Sequence, residues 1–155
     1  TDSTHLLDHE FHLAAFEYRE QTILISLVQR MRSLLNKRMD PYDAFLRCQT
    51  HMMELANAYV ENLILKQTVK VVKEKATDQA LGTLSRVCSL FALSTIEQHK
   101  GWYLENGYLE SYKTKAIRRM VDRLCKEVRN EAGVLVDAFA IPEATLMAPI
   151  VVGKN

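Results

Sequence analysis

Ile96-Glu97-Gln98-His99-Lys100-Gly101-Trp102-Tyr103-Leu104-Glu105-Asn106-Gly107-Tyr108-Leu109 decides how the rest of the chain is read. The stretch holds the only tryptophan, two of the six tyrosines and two of the five glycines. Long helical patterns flank it on both sides. Trp102, Tyr103 and Tyr108 each carry a large apolar area that must be covered, so this is no solvated linker. Two readings stay open. One is a helix end pinned by its aromatics onto its own bundle; the other is a docking corner that meets another domain or subunit.

Downstream of this corner, Ser111 is placed to cap a helix predicted over 112–140, with Ile117, Met120, Val121, Leu124, Val128, Leu135 and Phe139 sharing its buried face. Gly133 interrupts a good helix former, which points to a close crossing with a neighbour as much as to a defect. Pro142 stops the helix, and Ile141-Pro142-Glu143-Ala144 opens at most one further turn before Ala148-Pro149-Ile150. Upstream, a helix over 78–100, restarted at Thr77 or Asp78, presents Leu81, Leu84, Cys88, Phe91 and Thr95. Before it, Asp40 as N-cap and Pro41 at the first helical position open a helix over 41–75. Its Phe45, Cys48, Met52, Leu55, Tyr59 and Leu63 recur at alternating three- and four-residue steps, the seam of a bundle helix.

The first helix, over 8–37 with Asp8 as N-cap, has a less simple pattern. Leu13, Phe16, Leu24, Leu27, Val28, Met31 and Leu35 line one face, while Phe11, Ala14, Ala15 and Tyr18 line a nearly opposite one. A helix apolar on two sides packs on two sides. A free-standing bundle leaves each helix one wet face, so the second stripe suggests a neighbour outside the bundle. No strand-like alternation bounded by hairpin turns occurs. The expected fold is all-α, four long antiparallel helices in a bundle, with residues 1–155 as one domain and 101–110 as its aromatic corner.

Bulk properties agree. A chain of 155 residues can bury about 68–70% of its unfolded surface and be stable without disulfides or metals. Twenty basic and nineteen acidic residues create no field for nucleic acid. No apolar run approaches the roughly 18 residues of a membrane helix, so no membrane span is expected. The start Thr1-Asp2-Ser3-Thr4-His5 lacks a basic region and an apolar core, so no signal peptide is predicted. With no initiator methionine, the chain reads as a processed or excised piece of something longer. Cys48, Cys88 and Cys125 are odd in number and far apart, which implies no disulfide framework or zinc ribbon. Cys48 and Cys88 read as core thiols of a reducing compartment.

Catalytic and metal chemistry is hard to find. Di-iron carboxylate bundles need Glu-x-x-His on two helices, and none of the twelve glutamates has a histidine three residues on. His5, His9 and His12 share one helical face, but His9-Glu10-Phe11-His12 is one residue short of the zinc-protease motif, so a polar helix start is expected there and no metal site. No nucleophile elbow, phosphate loop or dinucleotide fingerprint occurs. Glu97 and His99 could form an acid–base pair, but nothing in the pattern orients them; His51 lies off its helix's seam and is expected to be exposed. The residues describe a module that packs and positions.

A family resemblance goes further. His12–Glu20 (HLAAFEYRE), Leu90–Glu97 (LFALSTIE), Gly101–Leu109 (GWYLENGYL), Leu124–Arg129 (LCKEVR), Leu135–Pro142 (LVDAFAIP) and Ala148–Ile150 (API) resemble the C-terminal helical domain of acyl-CoA oxidases, in order and spacing and over nearly the whole chain. The resemblance implies a parent flavoprotein that uses FAD to oxidise a fatty acyl-CoA to the trans-2-enoyl-CoA and passes the electrons to oxygen as hydrogen peroxide, the first step of fatty acid β-oxidation. It implies that flavin and catalytic glutamate lie in upstream domains of the same polypeptide, so that this segment has no catalytic residue and binds no cofactor alone. Its implied work is to support the upstream helical domain and a homodimer, with Phe11, Ala14, Ala15, Tyr18, Trp102, Tyr103 and Tyr108 as candidate interface residues. The chain stops at Val152-Gly153-Lys154-Asn155 without a Ser-Lys-Leu-type signal, which leaves a peroxisome for a eukaryotic source and the cytoplasm for a bacterial one. The alternative is a free-standing helical scaffold or adaptor without enzymatic activity.

Overall fold

The computed structural model describes residues 3–75, 78–142 and 145; the expectations for Thr77, Glu143-Ala144, Ala148-Pro149-Ile150 and the last four residues fall outside these. The chain is all-α. Its helices are α1 (Ser3–Leu6), α2 (His9–Asn36), α3 (Pro41–Lys75), α4 (Asp78–Gln98), α5 (Lys100–Glu105), α6 (Ser111–Arg129) and α7 (Ala132–Asp137), and no strand occurs among the described residues.

Local chemistry sets most of the boundaries. Asp8 Oδ1 accepts the Glu10 N–H at 3.0 Å at the start of α2, and Asp40 Oδ1 accepts the N–H of Tyr42 at 2.9 Å at the start of α3. Such caps satisfy donors that the first turn leaves free. At the end of α2 the N–H groups of Arg38 and Met39 return to the carbonyls of Leu35 and Leu34, with Arg38 at φ 58°. That is a Schellman motif with arginine where glycine is usual.

Two boundaries differ from expectation. Ser111 is the first residue of α6, not its cap; Glu110 takes the cap position and makes no side-chain cap bond. The last predicted helix is also two, because α6 ends at Arg129 and α7 restarts after Glu131. No residue of α7 is buried, and Phe139, expected on the buried face, is 76% exposed. A Cβ added at Gly133 would meet nothing within 4 Å, so none of the described residues crosses closely there.

Side-chain pairs fix the topology. Lys73 bonds Glu10, Lys66 bonds Glu17, Arg19 bonds Glu61 and Ser26 bonds His51, so α2 and α3 run antiparallel. Arg86 pairs with Glu131 and Arg118 with Glu97, so α4 and α6 do the same. Helix α4 lies against α2, α3 and α6. The core joins Phe11, Ala15 and Phe16 of α2, Leu65, Val69 and Val72 of α3, Cys88, Leu93 and Ile96 of α4, and Ile117, Met120 and Leu124 of α6.

That core uses only one end of the long hairpin. At 1.5 Å per residue, α3 is about 52 Å long and α6 about 28 Å. Beyond the reach of α4 and α6, Ile23, Leu27, Ala44, Cys48 and Ala58 are buried between α2 and α3 but stand outside the main core. The chain is thus a four-helix bundle with a two-helix stem. The seam expected for α3 is split accordingly: Cys48 is fully buried, Met52 and Leu55 are half-buried, and Phe45, Tyr59 and Leu63 are exposed. On α2, Leu24, Val28 and Leu35 are exposed as well. A two-helix layer covers one stripe of each helix and leaves the flanks bare.

Candidate functional site

The corner is built from α5 and the loop after it. Helix α5 ends where Gly107 takes φ +66°, with the Gly107 N–H returning to the Leu104 carbonyl at 3.1 Å and the Tyr108 N–H to the Tyr103 carbonyl at 3.0 Å. This closure brings Tyr103 and Tyr108 together, ring centroids 5.7 Å apart, the apolar contact that accompanies such a cap. Gly101 needs no such freedom and sits inside α5.

These aromatics fold back onto α2. The Tyr108 ring stacks on Tyr18 at 4.5 Å, and Trp102 meets Tyr18 edge-on at 6.0 Å. Tyr18 donates its hydroxyl proton to the Asn106 carbonyl at 3.1 Å. Tyr103, 1% exposed, donates to the Ala15 carbonyl at 3.1 Å, and burial raises the pKa of its phenol. The candidate interface residues of the corner and of α2 therefore meet each other, as the reading of a corner pinned onto its own bundle has it. Phe11 and Ala15 belong to the chain's own core, with Lys113 of α6 above the Phe11 ring. Of the second α2 stripe only Ala14 stays exposed. Most of this stripe is therefore covered from within the chain, by α5, α1 and α6.

Beside the clasp lies a cluster of polar groups that the sequence reading missed. Arg19 is 5% exposed and bonds Glu61 through Nη1 at 2.5 Å. His99 Nε2 reaches the other Glu61 oxygen at 3.4 Å, and Asn62 donates to Glu20 at 2.5 Å. Burial raises the pKa of Glu61, but the His99 contact and the Arg19 guanidinium outweigh it and hold the carboxyl below the usual range. A signal existed: Ala15, Arg19, Ile23 and Leu27 stand at four-residue steps on the stripe that faces α3. Glu97 and His99, which nothing in the sequence pattern oriented towards each other, turn to different partners: Glu97 bonds Arg118 at 2.8 Å and His99 faces Glu61. His51, expected on the open surface, is half-buried and bonds Ser26 at 2.9 Å.

The histidines near the start are not a polar helix start throughout. His12 is fully buried, with Nε2 2.7 Å from the Leu6 carbonyl, to which it donates as the neutral ring. Burial lowers its pKa from 6.5 to about 4, the Leu6 bond opposing. His9 lies 3.5 Å from both Ser85 and Ser89 hydroxyls, and its pKa is lowered too, chiefly by burial. No group of three metal-binding side chains occurs among the described residues.

Two clefts remain. One, of about 340 Å³, lies on the stem between α2 and α3 and is lined by Glu20, Leu24, Met52, Leu55, Ala56 and Tyr59. The other, of about 210 Å³, is lined by Leu7, Ser85, Arg86, Ser89, Leu124 and Glu127. Ser85 and Ser89 of the second lie 3.5 Å from His9, at the outer limit of a hydrogen bond.

The arrangement is an all-α bundle, and sequence comparison identifies its family. The family model for acyl-CoA oxidase matches residues 8–152. The chain belongs to the acyl-CoA oxidase family. The peroxisomal acyl-coenzyme A oxidase 2 of Arabidopsis thaliana is 35% identical over 94% of this chain and 21% of its own length. An acyl-coenzyme A oxidase-like protein of Mus musculus is 33% identical over 90% of this chain and 22% of its own. The crystal structure of acyl-CoA oxidase 1 from Yarrowia lipolytica superposes with a TM-score of 0.89 at 26% identity, over 97% of this chain and 22% of that one. The chain thus spans about a fifth of the length of these acyl-CoA oxidase relatives.

Proposed function

We propose that residues 1–155 act as the C-terminal helical unit of an acyl-CoA oxidase, a parent polypeptide that oxidises fatty acyl-CoA to trans-2-enoyl-CoA and reduces oxygen to hydrogen peroxide. The family match over residues 8–152 carries this reading, together with the share of about a fifth that such a unit occupies in its relatives. In this role the chain holds neighbouring parts of the oxidase in place and supports a homodimer, and it supplies no acid, base or nucleophile.

The FAD of such an enzyme does not fit the residues described here. A flavin dinucleotide needs cations or free N–H groups for its pyrophosphate. Among the described residues no cation lines the first cleft, and Arg86 of the second is already paired with Glu131. We assign flavin and acyl-CoA to upstream domains of the same polypeptide. The compartment follows the source: a peroxisome in a eukaryote, as the name of the Arabidopsis relative says of that protein, and the cytoplasm in a bacterium.

The test is peroxide release from palmitoyl-CoA in the presence of FAD. The 155-residue chain should give none, and the parent polypeptide should lose activity when this unit is removed. Turnover by the chain alone would overturn the proposal. A parent fully active without the unit would favour a free-standing scaffold.

A further inference from the structure

The outward side of α3 carries a surface that none of the described residues covers. At 3.6 residues per turn, Tyr42, Leu46, Met53, Val60, Ile64 and Val71 fall in one narrow sector, opposite Ala44, Asn62 and Leu65, which face the bundle. All six are between 44% and 68% exposed. The residues between them in that sector are Gln49, Ala56, Asn57 and Gln67, so from Tyr42 to Val71 it holds no charged group. Charges stand on the flanks instead, at Asp43, Arg47 and Glu54 on one edge and Lys66 and Lys70 on the other. An ordinary wet helix face is the reverse, with charges along its middle.

The size of the patch suits an interface. Six large side chains about half exposed present on the order of 500 Å² of apolar surface, already at the upper end of what a typical monomer shows in one patch. Phe45, Tyr59 and Leu63 adjoin it and extend it towards the roughly 800 Å² per partner of a standard interface.

Its spacing says what kind of partner fits. Leu46, Met53 and Val60 recur every seven residues, the repeat that keeps a seam facing a second long helix with slight left-handed winding. The stripe is also the same read in either direction. Leu46 and Val60 stand seven residues either side of Met53, and Tyr42 and Ile64 stand eleven either side. A two-fold axis at Met53 therefore sets Leu46 of one copy opposite Val60 of the other, Tyr42 opposite Ile64, and Met53 opposite itself. An isologous contact requires this kind of self-complementarity.

We propose that the outward face of α3 is the contact between two copies of this chain, α3 against α3 in antiparallel order about Met53. The proposal rests on the preceding reading only in that a homodimer exists, and it names the surface that makes it. The tests are independent, since peroxide assays measure the chemistry of the parent and leave this contact unread.

Met53→Glu and Met53→Lys variants of the 155-residue chain would be studied by light scattering, with circular dichroism as a check on helix content. Wild type should be dimeric. Each variant alone should keep its helix content, because position 53 is 60% exposed in one copy, yet become monomeric, with dissociation raised on the order of 100-fold by like charges facing each other. An equimolar mixture should return to the dimer, since the glutamate of one copy then faces the lysine of the other. A monomeric wild type, dimeric single variants, or a mixture that stays monomeric would overturn the proposal. So would loss of helix in both variants, which would show that another segment covers the face.

Discussion

Tyr18 of α2 and Tyr108 of the corner stack with ring centroids 4.5 Å apart and 27° between their planes, a contact between residues ninety positions apart that closes the clasp. Stacked aromatic pairs contribute about 0.5–1.5 kcal/mol beyond their buried area. A double-mutant cycle with Tyr18→Ala and Tyr108→Ala, read by urea unfolding, should show coupling of that size. If the two rings served separate outside partners, their effects would add and the coupling would vanish.

Trp102 anchors the same clasp from the side. It is half-buried, edge-on to both Tyr18 and Tyr103. Full burial would put the cost of truncation at about 3–5 kcal/mol, and partial exposure reduces it to about 2–3 kcal/mol for Trp102→Ala. In the parent oxidase this variant should lower thermal stability while assembled enzyme keeps a near-normal KM for acyl-CoA. Unchanged stability with weakened acyl-CoA binding would make the corner a substrate site.

Two residues in left-handed backbone conformation should respond to substitution with opposite signs. Gly107 and Arg38 occupy equivalent positions in two Schellman motifs, at φ +66° and +58°. A side chain in that region costs roughly 1–2 kcal/mol. Around Gly107 a Cβ would meet nothing within 4 Å, so Gly107→Ala should destabilise by about 1 kcal/mol through the backbone alone. Arg38→Gly should stabilise by a similar amount, about 1 kcal/mol. The change in melting temperature of each variant checks the pair.

The helices were legible because their signals are local. Asp8, Asp40 and Pro41 mark starts through chemistry confined to one turn, and the apolar steps of Ile117, Met120 and Leu124 predict a buried face that exists. What spacing leaves open is the partner for each face. The stripe Phe11/Ala15/Tyr18 needs cover, and the corner supplies much of it, but spacing along one helix cannot say which element returns to it. Phe45, Tyr59 and Leu63 show the same limit: they repeat like an internal seam and lie exposed, because the stripe of α3 that is buried runs through Ala58, Asn62, Leu65 and Val69 instead. Arg19 was passed over because a cation on an apolar stripe is read as surface until its carboxylate is found, and Glu61 is forty-two residues away.

Acid should unfold this chain in two separable stages. His12 is neutral in the fold, its pKa lowered to about 4 by burial, while in the unfolded chain it titrates at 6.5. Between those values the unfolded state holds more protons, so stability falls as pH drops from 6.5 to about 4, by up to roughly 3 kcal/mol. His9, lowered in the same direction, adds to this loss. Its neighbours Asp8 and Glu10 act against the shift and Lys73 with it. A His12→Phe variant should flatten most of that slope in urea-midpoint measurements at successive pH values. A slope unchanged by the substitution would assign it to other groups.

The pair Arg19–Glu61 should be asymmetric when broken. The side chain of Arg19 is 6% exposed and that of Glu61 25% exposed. Removing the carboxylate leaves a buried guanidinium without its counter-charge, a loss of about 3–5 kcal/mol. Removing the guanidinium by Arg19→Met keeps much of the packing volume and leaves a carboxylate that can turn to water, with His99 still at 3.4 Å. Glu61→Gln should therefore destabilise more than Arg19→Met, with the double variant less damaged than the sum of the two. The pH dependence supplies a second readout. The Glu61 pKa lies below its ordinary 4.5 in the fold, so its contribution is present above pH 4.5 and is lost as pH falls through the folded value. Glu61→Gln should remove that lowest stage of acid unfolding while leaving the His12 stage above it in place; equal losses for the two single variants would show that Arg19 reaches water as easily as Glu61 does.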